Sequence, residues 1–295
     1  MTIPRRTFLK FTAASVVAGS SILRPRAQAS EKSFRPKLGL VTYNWGKDWD
    51  VPTVIKNCEV TGFGGVELRS THKHGVEITL GKEERQAVRK QFEDSKVELV
   101  GLGSACEYHS EDPAVVDRNI EDTKAFVRLC KDVGGTGVKV RPNGLPKDVP
   151  VEKTIEQIGK SLRAVATYGA DYGVQIRVEV HGRGTAELPL IKQMMDIADH
   201  PNAVICWNCN PTDLNGEGLE HNFELVKKHF GATIHIHDLR NDMYPWKPFF
   251  GLLRSIQYDD WTLIEEGKVP DDIVAAMHEN RKTFDLLVAE TAKAK

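Results

Sequence analysis

Four polar residues recur at a nearly constant interval in the C-terminal half of the chain. They are Glu179, Asn208, His235 and Glu265, and they are 29, 27 and 30 residues apart. Each ends a short apolar run. Carboxylate and amide oxygens together with one imidazole suit a hard or borderline divalent ion. The shared spacing therefore predicts one metal site, with Mn²⁺ or Mg²⁺ preferred and Co²⁺ or Zn²⁺ as alternatives.

A metal ion held in this way would leave positions open for a substrate. A vicinal hydroxyl and carbonyl could chelate the ion, which would polarise the carbonyl and stabilise an enediolate. Glu179 and Glu265 could then exchange protons with the neighbouring carbon as general acid and base. The pattern predicts isomerisation or epimerisation of a sugar or polyol. A single Glu or His at a strand end is more often a buried polar group, so the prediction depends on the shared period.

The elements that must position these residues alternate along the chain. Eight strand-like runs cover residues 37–44, 64–69, 97–104, 136–142, 175–182, 202–208, 233–238 and 261–266. Helical patterns are clearest at residues 113–133, 151–172, 187–199 and 271–294. This alternation over about 250 residues predicts an α/β fold, a single-domain (β/α)₈ TIM barrel. A doubly wound open sheet is the alternative, but no glycine-rich phosphate motif follows the first run.

The run ATIHIHDLR, residues 232–240, shows the expected orientation most clearly. In a strand, alternation places His235 and His237 on one face and Ile234 and Ile236 on the other. TIM-barrel active sites lie at the C-terminal ends of the strands. Both histidines are therefore predicted to line the site.

Further polar or aromatic residues near strand ends are candidates for substrate binding. They are Glu67, His72, His74, His109, Arg141, His181, His237, Arg240 and Trp246. The arginines could bind a phosphate or carboxylate, or form structural ion pairs. Loop histidines are equally often solvated. Trp246 and Phe249 could form a wall against a sugar face, or pack their loop onto the barrel.

The N-terminal segment has the composition of a twin-arginine export signal. Arg5 and Arg6 precede a moderately apolar run at residues 11–23, and Ala27-Gln28-Ala29 resembles a cleavage site. We expect residues 1–29 to form the signal peptide and residues 30–295 the barrel domain. The protein is thus predicted to be periplasmic or otherwise exported. No other stretch approaches the length of a transmembrane helix.

Charge and cysteine content exclude other classes of protein. The formal net charge is −1, and removal of residues 1–29 would take away five basic residues and no acidic ones. An acidic chain is a poor nucleic-acid binder, so the expected partner is a small sugar or polyol. Five cysteines, an odd number, do not fit a disulfide framework. Cys206 and Cys209 form a C-x-x-C inside a strand pattern, which favours buried thiols over a redox pair.

The motifs VEVHG, VICWN, IHIHD and TLIEE resemble the sugar phosphate isomerase/epimerase group of xylose isomerase-like TIM barrels, over almost all of residues 30–295. The resemblance implies that Glu179, Asn208, His235 and Glu265 hold one divalent metal ion and that both glutamates act as acid and base. Two positions depart from the group's pattern. Asn208 replaces the usual Asp, and Pro211 stands where ketose epimerases tend to have a His.

Three other functions remain open at this level. Loss of a β-substituent from the same enediolate would make the protein a lyase or dehydratase acting on keto-sugars or keto-glycosides. A decayed metal centre would leave a non-catalytic sugar-binding barrel. DNA-repair endonucleases share the barrel, but the export signal and the acidic balance of this chain argue against that activity. The oligomeric state is also open, with a homo-oligomer among the alternatives.

Overall fold

The computed structural model describes residues 34–291, and the export signal predicted at residues 1–29 lies outside them. The strands are β1 Lys37–Val41, β2 Gly65–Arg69, β3 Glu98–Glu107, β4 Gly137–Arg141, β5 Gln175–Glu179, β6 Ala203–Asn208, β7 Phe230–Ile236 and β8 Trp261–Ile264. The helices are α1 Val51–Thr61, α2 Lys82–Glu93, α3 Pro113–Val133, α4 Val151–Tyr172, α5 Leu188–Ala198, α6 Leu219–Val226, α7 Trp246–Ser255 and α8 Ile273–Thr291. All eight strands are parallel and close into a barrel in chain order. The predicted TIM barrel is confirmed, and the open-sheet alternative is wrong.

The long helix α3 shows why helix boundaries were readable from the sequence. Asp112 caps its start by accepting a hydrogen bond from the backbone N–H of Ala114 at 2.9 Å. Pro113 occupies the first helical turn, where its missing N–H costs nothing. Gly134 ends the helix with φ 92°, a left-handed conformation that glycine adopts without strain. Because of these local signals, α3 begins and ends at the residues predicted from the sequence, 113 and 133.

Strand ends follow the sequence less closely. Strand β8 ends at Ile264 and β7 at Ile236, so Glu265 and His237 lie just beyond the paired segments. Strand β3 instead continues to Glu107. Side-chain alternation persists past the last ladder hydrogen bond because the chain still lines the rim of the barrel. Periodicity alone therefore cannot show where strand pairing stops.

Apolar side chains pack mainly between the sheet and the helices. Ile234 and Ile236 belong to this layer and are fully buried there. A second, smaller cluster consists of Val41, Val100, Trp261 and Leu263. No helix within residues 34–291 has the length and apolarity needed to cross a membrane.

The barrel interior also holds charged side chains, and glycines make room for them. A Cβ atom at Gly103 would lie 2.9 Å from Glu67 Oε1, and one at Gly137 would clash with the Arg177 guanidinium. Arg177 donates hydrogen bonds to the carbonyl of Val100 at 3.0 Å and to Thr136 Oγ1 at 2.9 Å. The strands thus enclose a charged layer beneath the C-terminal face.

Candidate active site

The C-terminal ends of β5 to β8 bring the four regularly spaced residues together. His235 Nδ1 lies 3.6 Å from Glu179 Oε1 and 3.3 Å from Glu265 Oε2. Asn208 pairs with His235 in the β6–β7 register and donates a hydrogen bond from Nδ2 to Glu179 Oε1 at 2.9 Å. All four residues are buried. One βα unit between successive residues therefore places them at one level of the barrel.

This cluster has the properties of a metal-binding group. One ligand atom each from Glu179, His235 and Glu265 lies within 4.8 Å of the others. Both ring nitrogens of His235 and the Asn208 Oδ1 atom are buried without a hydrogen-bond partner in the described part of the chain. Buried polar atoms are nearly always paired. The donor set fits a divalent cation, although it does not select one metal.

Lys139 is a member of the site that sequence reasoning missed. Its ammonium donates a hydrogen bond to Glu179 Oε2 at 2.7 Å, and both side chains are almost fully buried. Burial raises the pKa of Glu179, but attraction to Lys139 and His235 outweighs it and holds that pKa well below its usual range. Burial lowers the pKa of Lys139, but attraction to Glu179, Glu265 and Glu67 raises it overall. The pair is therefore an ion pair with both members charged.

A polar cavity of about 180 Å³ opens above this cluster. It is lined by Tyr43, Arg69, Lys139, Arg141, Glu179, His181, Asn208, Asn210, His237 and Glu265. Of the predicted substrate contacts, Arg141, His181 and His237 lie here. His181 Nδ1 lies within hydrogen-bonding distance of Asn143 Oδ1 (2.8 Å), and His237 Nδ1 donates to the carbonyl of Glu265 at 2.7 Å. Both imidazoles are thereby fixed at the cavity wall.

Glu67 lies behind His235, outside the wall of the cavity. Its Oε1 atom is 3.4 Å from His235 Nε2, and its side chain is fully buried. Burial raises the pKa of Glu67, but attraction to His235, Lys139 and Arg177 lowers it overall. In the neutral imidazole that metal binding would require, this carboxylate would favour the tautomer with the proton on Nε2, which leaves Nδ1 directed toward Glu179 and Glu265. The position therefore argues against the predicted substrate contact and for orientation of His235.

Comparison with known families agrees with this fold. The profile of the xylose isomerase-like TIM barrels matches residues 55–285. The chain belongs to this family. No curated protein sequence matches it significantly.

Several solved structures resemble this xylose isomerase-like barrel in fold. An L-ribulose 3-epimerase superposes with a TM-score of 0.76 at 15% identity, over 88% of this chain and 96% of that one. The 3-keto-D-glucoside 4-epimerase YcjR from E. coli gives 0.72 at 12% identity, over 86% of this chain and 100% of that one. The IolI protein with a bound zinc atom gives 0.70 at 14% identity, over 86% and 97%. At such low identity these likenesses establish the fold alone.

The position of Glu67 predicts a measurable effect on metal affinity. Glu67→Gln is expected to weaken binding of Mn²⁺ or Zn²⁺ by about 10–100-fold, because partners of a metal-binding imidazole orient it and raise its basicity. Calorimetric titration of the metal-free protein measures this affinity. Glu98→Gln, at an exposed position at the start of β3, is the matched control. An unchanged affinity in Glu67→Gln would show that this carboxylate does not act through His235.

The loop histidines predicted to bind substrate lie outside the central cavity. His74 donates from Nε2 to the carbonyl of Arg69 at 2.7 Å and accepts from the N–H of Val76 at 3.0 Å. Burial lowers the pKa of His74 to about 4, so it is a neutral bridge between loop backbone groups. His72 contacts Arg69, and His109 lies 3.8 Å from Glu107 on the outer rim.

Arg240 and Trp246 also lie away from the cavity. Arg240 binds Asp238 through two nitrogens, the structural ion pair that the sequence left open for it. Trp246 begins α7 and packs against Tyr244 in the core, with its indole N–H bonded to the carbonyl of Asn241. Residues 246–255 form a helix, so Trp246 and Phe249 belong to the barrel packing. These positions favour the structural alternatives: an ion pair for Arg240 and packing of α7 onto the barrel for Trp246.

The five cysteines are free and buried. Burial raises the pKa of the Cys209 thiol well above its ordinary value, which keeps it protonated and unreactive. This environment supports the interpretation of C-x-x-C as ordinary buried thiols.

Proposed function

We propose that the protein is a divalent-metal-dependent sugar isomerase or epimerase that transfers a proton next to a carbonyl group. The observation that carries the proposal is the buried group of Glu179, His235 and Glu265 at the C-terminal face of the barrel. Family membership and the epimerases among its structural neighbours support it. The substrate class is a polyhydroxylated carbonyl compound.

The residues that would hold the ion are Glu179, Asn208, His235 and Glu265. When bound, a divalent ion would polarise the substrate carbonyl and stabilise the negative charge that develops as the neighbouring C–H proton leaves. The unpaired Oδ1 of Asn208 gives the amide an oxygen to contribute. Asn carries one negative charge fewer than Asp, so we expect weaker metal binding than an Asp would give.

The surroundings of the two glutamates assign them different tasks. Lys139 and Asn208 donate to both oxygens of Glu179, so this carboxylate is a weak base. The carboxylate of Glu265 is the more exposed of the two, with 11% of its side chain accessible against 2% for Glu179, and its Oε2 atom lies 3.3 Å from His235 Nδ1. We therefore assign removal of the substrate proton to Glu265. The Glu179–Lys139 pair, which also lines the cavity, is the candidate for returning one.

The cavity wall fits the remaining hydroxyl groups of such a substrate. Arg141, His181, Asn210 and His237 present donors and acceptors in a space lined mainly by polar groups. Arg141 donates to Glu107 at 2.6 Å, which fixes its guanidinium at the wall. We propose these four side chains as the substrate contacts.

Metal content per chain tests the proposal. Protein without a tag, offered Mn²⁺, Mg²⁺, Co²⁺ and Zn²⁺ in turn, is expected to retain about one ion by elemental mass spectrometry. The double variant Glu179→Gln/Glu265→Gln should lose it, whereas Asn208→Asp should hold it more tightly because a carboxylate adds charge. Keto-sugars are then screened for isomerisation, epimerisation and elimination. Absence of an ion from the wild-type protein and from every variant would overturn the metal-dependent reaction and favour a sugar-binding protein without catalysis.

We also propose that residues 1–29 direct export through the twin-arginine route. Arg5→Lys/Arg6→Lys is expected to abolish export, because this route reads the arginine pair. Fractionation and the intact mass of the exported protein measure transport and the cleavage site. Export of the lysine variant in full amount would contradict the proposal.

A further inference from the structure

A second cavity of about 560 Å³ lies on the C-terminal face, beside the central cavity. It is lined by His109, Ser110, Glu111, Asp112, Asn143, Gly144, Leu145, Pro146 and Arg183. These residues belong to the loops that follow β3, β4 and β5. We call this space the rim cavity.

Asn143 separates the rim cavity from the central cavity. Its Oδ1 atom lies 2.8 Å from His181 Nδ1, and its Nδ2 donates to Glu107 Oε1, which also accepts from Arg141. His181 and Arg141 line the central cavity, whereas Asn143 lines the rim cavity. The two cavities therefore share one hydrogen-bonded wall. A ligand that extends across this wall would contact residues of both cavities.

The loops that form this wall are locked together before any ligand arrives. A Cβ atom at Gly182 would lie 2.6 Å from the Cα of Asn143, and one at Gly184 would lie 2.8 Å from a methyl group of Leu145. Both glycines also have positive φ, 98° and 82°. Only glycine permits this close approach between the two loops. The rim cavity is thus preformed, as ligand sites usually are.

The two cavities differ in size in a way that bears on the substrate. Sites for small molecules usually measure about 300–1,000 Å³. The central cavity, at about 180 Å³, is smaller than this range, and the rim cavity, at about 560 Å³, falls within it. A substrate whose reacting unit fills the central cavity would therefore have room for a further part in the rim cavity.

The chemistry of the rim cavity suits a neutral sugar unit. Arg183 is exposed and makes no hydrogen bond or ion pair within residues 34–291, and His109 Nδ1 is buried without a hydrogen-bond partner there. Leu145 and Pro146 add apolar surface for the C–H face of a ring. Glu111 and Asp112 place negative charge in the same lining, which disfavours a phosphate group.

The geometry points to the rim cavity as a subsite for a second sugar unit, which makes the substrate a disaccharide-sized keto-glycoside. This inference rests on the proposed function for the identity of the reacting unit. Arg183 is the principal donor to the second unit, across the wall formed by Asn143. A free keto-hexose would occupy only the central cavity and leave the rim cavity empty.

Binding of unreactive sugars tests the subsite independently of turnover. By NMR titration, cellobiose is expected to bind about tenfold more tightly than glucose, as a further charge-assisted hydrogen bond would give. Arg183→Ala should abolish this advantage, and Arg118→Ala, an exposed arginine on α3, should keep it. Equal affinity for both sugars would overturn the subsite. Tighter binding of glucose 6-phosphate that depends on Arg183 would replace it with a phosphate site.

Turnover separates this inference from the proposed function. The ratio of kcat/KM for a keto-disaccharide to that for the matching keto-hexose should fall about tenfold in Arg183→Ala and stay unchanged in Arg118→Ala. Conversion of both substrates with equal kcat/KM in the wild type would overturn the subsite and leave the reaction standing. Conversion of neither, with the cellobiose advantage intact, would support the subsite and count against the reaction.

Discussion

Glu265→Gln is expected to lower kcat by about 10²–10⁴-fold, the usual contribution of a general base. Glutamine keeps the size and one amide oxygen of the side chain but cannot accept the substrate proton. Steady-state rates on the best keto-sugar measure the loss. Exchange of the substrate C–H hydrogen with deuterated solvent should fall in parallel, because it reports proton removal directly.

A control and a metal measurement separate the two roles of Glu265. Glu220→Gln, at an exposed glutamate on α6, should leave kcat unchanged. Metal content must be determined for each variant, since Glu265 is also a candidate ligand. A Glu265→Gln protein that exchanges its substrate hydrogen at the wild-type rate would exclude this residue as the base.

Lys139→Met is expected to destabilise the metal-free protein by about 3–5 kcal/mol, the cost of removing one partner from a buried ion pair. The pair is almost inaccessible to water, so the Glu179 carboxylate would lose its closest counter-charge without gaining solvent. Urea unfolding measures the change in the free energy of unfolding. The metal-free state is required because a bound cation would compensate Glu179.

The double variant Lys139→Met/Glu179→Gln tests the cause of that loss. Removing the stranded charge should restore part of the stability, since the cost lies in the unpaired carboxylate. Lys153→Met, at an exposed position on α4, serves as the control for loss of a lysine. Equal stability of Lys139→Met and the wild type would show that His235 and Asn208 alone compensate Glu179.

The contacts of Glu179 offer a structural reason why this chain has Asn208 where related barrels usually have Asp. Glu179 accepts one hydrogen bond from the amide of Asn208 and one from the ammonium of Lys139. An aspartate at position 208 would offer no such donor and would place a second carboxylate against Glu179. Asparagine therefore suits a site in which Glu179 is held in one position by two donors.

The sequence by itself determined the fold and the four strand-end residues. Alternation of strand and helix patterns requires a parallel sheet, and one βα unit per interval brings Glu179, Asn208, His235 and Glu265 to one level. Helix caps and prolines are local signals, so helices such as α3 were also readable. Family membership of residues 55–285 agrees with this reading.

Only the tertiary structure decided which of the other polar residues reach the site. Glu67 on β2 lies far from β7 in sequence, and closure of the barrel brings it to His235. Lys139 on β4 reaches Glu179 across the pairing with β5, the next strand along the chain. Alternation in β4 places Lys139 on the same face as Arg141, but lysine is rarely buried, so the sequence alone did not indicate that its side chain lies inside the barrel. Arg240 and Trp246, in contrast, were predicted near the substrate but lie away from it. Arg240 forms an ion pair with Asp238, and Trp246 packs against Tyr244 in the core. Such choices depend on contacts between distant segments, which one-dimensional periodicity does not record.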